Sequence, residues 1–127
     1  MSIAGYKRLA IGLSVGSFVI LLLCGSLFWS HGWLTIRVAW GEDQMKIFAE
    51  MRTRSLQADS ADAAGNLEYV VGYYPSGSKQ ETGSRLDRIV ERERALAVRD
   101  IIAHLRIKTG EDLGENPEAW IKKYAKR

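Results

Sequence analysis

The sequence has few of the residues that most often carry chemistry. It contains one cysteine, two histidines and two prolines in 127 residues. A single cysteine excludes an intramolecular disulfide bond and a zinc site built on cysteine pairs. Cys24 lies in an apolar run, where a free cysteine is ordinarily a small hydrophobic side chain. The sequence predicts no metal site and no cofactor.

Lysine, arginine, aspartate and glutamate are absent between Arg8 and Arg37, and the centre of this run reads FVILLL. About 20 apolar residues in a helix cross a hydrocarbon core of roughly 30 Å. Because hydrocarbon cannot hydrogen-bond a backbone amide, such a run must be helical. We therefore expect residues 9–34 to form a transmembrane helix with an interfacial tryptophan belt, preceded by a flank at residues 1–8.

Both ends of this span carry the residues expected at a membrane interface. Lys7 and Arg8 end it on one side, and Trp29, Trp33 and Trp40 follow on the other. Tryptophan rings favour the headgroup region, and basic residues favour the cytoplasmic side. We expect the bilayer to be one partner, the N-terminus to be cytoplasmic and the C-terminal part to be extracytoplasmic.

Two alternatives to an uncleaved anchor share the same apolar run. A cleaved signal peptide would show a small-residue cleavage site, but bulky Phe28, Trp29 and Trp33 follow the run. A lipoprotein anchor would place a small residue before the modified cysteine, and Leu23 precedes Cys24. The uncleaved anchor is the interpretation that we carry forward.

Gly12 and Gly16 form a G-x-x-x-G step in the span. Small residues at this spacing let two membrane helices approach closely, so a homodimer through the span is one interpretation. The interpretation that we prefer is that glycine is simply frequent in membrane helices.

The charge outside the membrane is balanced. Of 18 lysines and arginines, Lys7 and Arg8 precede the span, which leaves 16 to face 15 acidic residues. A nucleic-acid-binding protein would show a concentrated basic patch. The densest basic cluster is Lys122, Lys123, Lys126 and Arg127, and at a helix C-terminus it complements the helix dipole. We expect no nucleic-acid partner.

The extramembrane part is predicted to be mainly α, with about four helices. A connector at residues 35–58 contains a helix from about Glu42 to Gln57, with an apolar face of Met45, Phe48 and Met51. Gly32 and Gly41 allow a break before it, and Thr35 to Trp40 is the one short candidate strand. A small helical domain follows at residues 59–127.

Three helices are expected in that domain. The first runs from about Ser60 to Tyr74, is capped by Asp59 or Ser60 and ends at Pro75. The next begins at Ser84, with Asp87 three residues on, and reaches about Lys108 before Gly110. Its predicted apolar face comprises Leu86, Ile89, Val90, Ala97, Ile101 and Leu105. The last is capped by Asn116, begins with Pro117 and docks Trp120, Ile121 and Tyr124 on the preceding helix.

The stretch from Ala63 to Tyr124 resembles a family of short, uncharacterised bacterial membrane proteins typical of planctomycetes. The resemblance lies in LEYVVGYYPSGSKQETGSRLDRIVERERALAVRDIIAHL and TGEDLGENPEAWIKKY. The closing motif, TG-x-DLG-x-x-PE-x-W, is also similar to the end of HEAT-type helical modules. This resemblance implies helix-pair packing and protein–protein contact. It assigns no catalytic residue.

No arrangement of polar residues predicts catalysis. A metal or catalytic role for a histidine needs partners of matching geometry. Asp100, four residues before His104, could orient it or hydrogen-bond to it, but we prefer a structural or solvated histidine there and an interfacial polar residue at His31. Glu91 and Glu93 are two apart on a helix and cannot face each other. The acidic loop of Glu111, Asp112 and Glu115 lacks the spacing of a calcium-binding EF-hand loop. No histidine–aspartate arrangement accompanies the serines Ser76, Ser78 and Ser84. The sequence predicts that the protein is not an enzyme.

Two further features are weighed as binding sites. Tyr69, Tyr73 and Tyr74 would suit a ligand platform or, as we prefer, packing at a helix end. The loop from Pro75 to Lys79 has glycine, serine and lysine but lacks the phosphate-loop pattern, so a turn is expected.

The function that the sequence favours is a membrane-anchored interaction or scaffold module. Arg88, Arg92 and Arg99 lie on one face of the longest extramembrane helix and are the predicted surface for a protein partner. The alternative is a small accessory subunit of a larger membrane enzyme or transporter, assembled through Gly12 and Gly16.

Overall fold

The computed structural model describes residues 3–125. Within that range it contains four helices and no strand, which confirms the mainly α prediction. The helices are α1 (Ile3–Ser55), α2 (Ser60–Gly72), α3 (Arg85–Thr109) and α4 (Pro117–Tyr124). Met1, Ser2, Lys126 and Arg127, which belong to the predicted flank, basic cluster and helical domain, lie outside the described residues.

The chain divides into two compact units, Met1–Ile36 and Arg37–Arg127. Helix α1 contributes to both of them. Most of the predicted connector therefore falls in the second unit, together with α2, α3 and α4. We call this second unit the helical domain.

The first unit exposes its apolar side chains. Large hydrophobic residues from Leu9 to Leu34 are all at least two-fifths exposed, and Phe28 reaches 82%. A contiguous apolar surface of this kind marks a site of membrane or protein contact. One helix, Ile3–Ser55, is long and apolar enough to cross a membrane.

Helix α1 continues through both glycines that would allow a break. Gly41 is buried, and a Cβ atom there would lie 3.1 Å from Cδ1 of Leu86 and 3.4 Å from Cγ2 of Val90. Its lack of a side chain thus permits close packing of α3 against α1. Thr35 to Trp40, the candidate strand, is also helical.

The caps of the other helices follow the predicted chemistry. The carboxylate of Asp59 accepts a hydrogen bond from the Asp62 amide at 2.8 Å, and the Ser84 hydroxyl accepts one from the Asp87 amide at 3.1 Å. Asn116 caps α4 in the same way. Gly110 ends α3 in the left-handed conformation, with φ of 69°, which glycine adopts without steric cost.

The core of the helical domain combines all four helices. Phe48 comes from α1, and Trp120 comes from α4; both are fully buried. The remaining buried apolar residues belong to α2 and α3 and are Ala63, Ala64, Leu67, Val70, Val90, Ala97, Ile101, Ile102 and Leu105. Burying a large apolar side chain contributes about 1.5–3 kcal/mol, so Trp120 and Phe48 tie the terminal helices firmly to the central pair.

Three sequence expectations are corrected. Ile89 is 44% exposed, because it lies about 100° around the helix from its buried neighbour Val90. Tyr74 falls after α2, which ends at Gly72. Helix α4 packs mainly on α2, with a smaller contact to α3. Trp120 also donates a hydrogen bond to the Gly114 carbonyl in the loop before α4, at 2.9 Å.

We predict that Gly41→Leu destabilises the helical domain by about 1–3 kcal/mol, the usual cost of forcing extra carbon atoms into a packed site. The matched control is Gly32→Leu, in the same helix, where nothing lies within 4 Å of the added Cβ atom. Thermal unfolding followed by circular dichroism measures both variants. Equal melting temperatures for the two would contradict the packing assigned to Gly41.

Candidate functional site

The segment that follows α2, residues 73–75, has an unusual backbone conformation and accepts hydrogen bonds from buried side chains. Tyr73 is extended, and Tyr74 adopts a left-handed conformation with φ of 41° before Pro75. Such a conformation costs a residue other than glycine about 1–3 kcal/mol and persists only where its surroundings hold it.

Arg94 of α3 holds this segment. Its guanidinium group donates to the Val70 carbonyl at 2.6 Å and to the Tyr74 carbonyl at 2.6 Å. The same group lies 4.7 Å from the centre of the Phe48 ring and pairs with Glu91 at 3.1 Å. Arg94 is only 9% exposed. A buried guanidinium is tolerated when it is paired and hydrogen-bonded, and here it caps the C-terminal carbonyls of α2.

Two buried glutamines extend the polar network. Gln44 of α1 donates to the Tyr74 carbonyl at 3.2 Å, and Gln80 donates to the Gln44 side-chain oxygen at 2.8 Å. No buried side-chain nitrogen or oxygen in residues 3–125 lacks a hydrogen-bond partner. The network thus joins α1, α3 and the loop after α2 at one carbonyl group.

Asp87 fixes the other end of that loop. Its carboxylate accepts hydrogen bonds from the Ser76 hydroxyl at 2.7 Å, the Gly83 amide at 2.9 Å and the Gly77 amide at 3.3 Å. Burial by itself raises the pKa of Asp87. The three hydrogen bonds and the nearby charge of Arg88 outweigh burial, so the pKa lies below its ordinary value.

The three tyrosines form a stack at the edge of this network. The rings of Tyr69 and Tyr73 stack at 5.2 Å, and the Tyr74 ring meets that of Tyr73 edge-on at 4.7 Å. Tyr73 also packs against the core residue Phe48, and burial is the main reason that its pKa is raised. Packing at the helix end, the preferred sequence interpretation, is therefore observed for Tyr73.

Tyr69 and Tyr74 remain 47% and 43% exposed. Together with Gly72, Tyr73 and Pro75 they line an open cavity of about 480 Å³. The tyrosines therefore serve both as packing and as an aromatic surface.

A second, smaller cavity of about 140 Å³ lies beside Tyr74. Lys79 extends across it, with its ammonium nitrogen 4.6 Å from the centre of the Trp40 ring and 4.3 Å from that of Tyr74. Both distances fit cation–π contacts. The loop that carries Lys79 contains the predicted turn, in which the Ser78 amide donates to the Pro75 carbonyl at 3.0 Å.

The histidine and acidic residues of the domain have structural partners. His104 donates through Nε2 to the Ala58 carbonyl at 3.2 Å. Asp100 does not orient it, because the Asp100 carboxylate pairs with Arg52 at 2.7 Å. Within residues 3–125, no group of three histidine, cysteine or acidic side chains could hold a metal ion.

The acidic loop before α4 is tied to its neighbours. Glu111 accepts hydrogen bonds from Lys123 and Tyr124. Asp112 and Glu115 both pair with Arg106, at 2.9 and 2.8 Å. These contacts hold the loop on the surface of α3 and α4.

The predicted partner surface is an exposed ridge of α3. Arg88, Arg92 and Arg99 are exposed and lie within about 40° of each other around the helix axis. Arg88 donates to the Gly83 carbonyl at 2.7 Å, and Arg99 pairs with the adjacent Asp100. Arg92 makes no hydrogen bond or ion pair within the described chain. Arg85 lies on the same ridge, which we call the arginine ridge.

The predicted membrane residues of the first unit are exposed. Lys7, Arg8, Trp29 and His31 face solvent in the isolated chain, and open space surrounds Gly12 and Gly16. Near the C-terminal end of the unit, an apolar notch of about 260 Å³ is lined by Phe28, Trp29, Gly32, Trp33 and Ile36. Trp40 differs, since it is half-buried in the helical domain.

Sequence reasoning missed the polar network, although the spacing contains a signal for it. Val90, Arg94, Ala97 and Ile101 follow one another at helical intervals, so Arg94 occupies a core position in an otherwise apolar face. Gln44 likewise lies at helical spacing between Gly41 and Phe48, on the buried face of α1. A polar residue at such a position must find a buried partner, but the sequence does not say which one.

Comparison of the chain with family models, curated proteins and solved structures gives no match. The resemblance described under sequence analysis therefore stays a prediction.

We predict that Arg94→Met destabilises the helical domain by about 1–3 kcal/mol, because it leaves the buried Val70 carbonyl without its donor and Glu91 without its partner. Arg92→Met on the exposed ridge is the matched control and should change stability by less than about 0.5 kcal/mol. Chemical unfolding followed by circular dichroism compares the two. A cost for Arg94→Met as small as that of the control would contradict the capping role.

The Asp87 contacts predict a pH dependence of stability. An unfolded aspartate has a pKa of about 3.9, and the folded value is lower, so the stabilisation is complete above that pH. It is lost as pH falls through the folded pKa. Asp87→Asn should be less stable than the wild type by about 1.5–3 kcal/mol at neutral pH, and the difference should shrink below about pH 4. Unfolding curves from pH 7 to pH 2 measure it; a difference independent of pH would contradict this account.

Proposed function

We propose that the protein is a single-pass membrane protein whose helical domain serves as an interaction or scaffold module rather than as an enzyme. The observation that carries the proposal is the contrast between the two units. The first exposes its large apolar side chains from Leu9 to Leu34, whereas the second buries most of its apolar residues in a core of its own. A bilayer is the environment that such an exposed helix fits.

The sidedness that we propose follows the basic residues. Lys7 and Arg8 precede the span, so the N-terminus lies in the cytoplasm and the helical domain on the other side of the membrane. An uncleaved span is part of the proposal, since a cleaved signal peptide would release the domain.

The arginine ridge is the proposed docking surface. Guanidinium groups form paired hydrogen bonds with carboxylates, and the ridge concentrates four arginines on one face of a domain that as a whole is close to neutral. Arg92, which has no partner within residues 3–125, is free to form such a bond. We propose a partner protein with an acidic surface.

A second candidate function rests on the first unit. An accessory subunit would use the span itself to assemble with a larger membrane enzyme or transporter. The open space at Gly12 and Gly16 and the notch at Gly32 would each admit a neighbouring helix.

Two sets of substitutions separate these functions. Alanine at Arg88, Arg92 and Arg99 should reduce recovery of a stoichiometric partner at least about tenfold if the ridge carries roughly 1.4 kcal/mol or more of the binding free energy. Leucine at Gly12 and Gly16 should then have little effect. The accessory-subunit function predicts the reverse. Quantitative mass spectrometry of the purified full-length protein from its own host measures both.

Matched controls exist for each set. Alanine at Lys46, Arg54 and Lys108 removes three exposed basic side chains away from the ridge. Gly25→Leu adds one leucine side chain on the opposite side of the membrane helix, where the added Cβ atom also meets nothing within 4 Å. A partner that remains bound to both test sets would contradict both functions.

A further inference from the structure

The cavity between Trp40 and Tyr74 has aromatic and acidic walls, which suit a cation. Two aromatic rings face the Lys79 ammonium group, at 4.6 and 4.3 Å, and Asp43 and Gln44 complete the wall. Aromatic rings attract cations through the negative charge of their faces, and tryptophan does so most strongly. We call Trp40, Asp43, Tyr73 and Tyr74 the aromatic cage.

Hydrogen bonds from buried side chains hold the residues of the cage in position. Tyr74 presents its ring from a left-handed backbone conformation, with φ of 41°. Arg94 and Gln44 both donate to its carbonyl group and hold it there, and Gln80, next to Lys79, is anchored on Gln44. Three buried polar side chains therefore fix the position of one wall and of the loop that supplies the present occupant.

The ammonium group of Lys79 contacts the rings of the cage but makes no hydrogen bond there to any described residue. An ammonium group has three N–H donors, but within residues 3–125 Lys79 forms no hydrogen bond or ion pair, and the two rings are its contacts. A primary ammonium group must therefore face the rings without protein acceptors for its N–H groups. A quaternary ammonium group has no N–H donor and would lose nothing in the same place.

We propose that the aromatic cage binds a quaternary ammonium group, and that Lys79 is an internal occupant which this ligand displaces. The cage supplies the two ring faces, and the carboxylate of Asp43 adds a negative charge at the wall. Displacement requires only that the flexible side chain of Lys79 turn outward, since the loop backbone stays anchored through Gln80 and Asp87. The ligand chemistry occurs both in small solutes such as choline and in the headgroup of phosphatidylcholine.

The test uses the full-length protein in a maltoside detergent, which carries no ammonium group. Choline chloride is titrated, and its methyl signals are followed by saturation-transfer NMR. Removing the internal occupant with Lys79→Ala should raise the affinity at least about tenfold if Lys79 leaves the cage open a tenth of the time or less. Ethanolamine, whose ammonium group keeps its N–H donors, should bind more weakly than choline.

Two variants make the result specific. Trp40→Leu in the Lys79→Ala background should abolish the gain, with circular dichroism as the check that the domain is folded. Lys46→Ala, which removes an exposed lysine from the same helix as Trp40, should leave choline binding unchanged. If Lys79→Ala does not raise the affinity, or if ethanolamine binds as well as choline, the proposal is wrong.

A second arm distinguishes the two sources of the ligand. The Lys79→Ala variant is reconstituted into nanodiscs of phosphatidylcholine or of phosphatidylglycerol, and choline is titrated again. Competition only in phosphatidylcholine supports a lipid headgroup, and equal choline binding in both supports a free solute. Absence of choline binding in phosphatidylglycerol nanodiscs and in detergent overturns the proposal.

Discussion

The helical domain depends on one interaction, in which the guanidinium group of Arg94, from α3, caps the C-terminal end of α2. A helix leaves its last carbonyl groups without partners, and at the end of α2 the hydrogen bond to the Val70 carbonyl is buried. Arg94 supplies the missing donors to Val70 and Tyr74 from within α3. Since its guanidinium group also covers the ring of Phe48 in α1, one side chain joins three helices. Burying a charge is costly unless it is paired and hydrogen-bonded, and Arg94 meets both conditions through Glu91, Val70 and Tyr74.

The surface features of the domain follow from that constraint. Fixing the Tyr74 carbonyl fixes the backbone from which its ring projects and the start of the loop. Asp87 holds the rest of the loop through Ser76 and Gly83. The aromatic surface beside α2 and the position of Lys79 against Trp40 are therefore consequences of buried polar contacts. The arginine ridge is on the opposite side of α3 from the core and is independent of them, which is why interaction and stability can be altered separately by substitution at Arg92 and Arg94.

The local structure was largely predictable, and the tertiary contacts were not. Helix periodicity and capping residues located α2, α3 and α4, because Asp59, Ser84 and Asn116 act within a few residues of their own positions. Gly41 was misleading as a candidate break, because its function is to admit Leu86 and Val90 from a distant helix. Trp40 was predicted at the membrane interface, which stays a prediction, but its packing beside Lys79, nearly 40 residues away in the sequence, was not predicted. Pairings of this kind depend on the three-dimensional fold, which spacing along the chain does not specify.

The most direct test of the account is the accessibility of single cysteines in intact membranes. Cys24 is the sole cysteine, so wild-type protein reports on the span, and Gln57→Cys in a Cys24→Ser background reports on the helical domain. A membrane-impermeant maleimide added from the extracytoplasmic side should label position 57 rapidly and leave Cys24 unlabelled until detergent is added. Equal labelling of the two positions before detergent would contradict membrane anchorage. Labelling of position 57 only from the cytoplasmic side would contradict the proposed orientation.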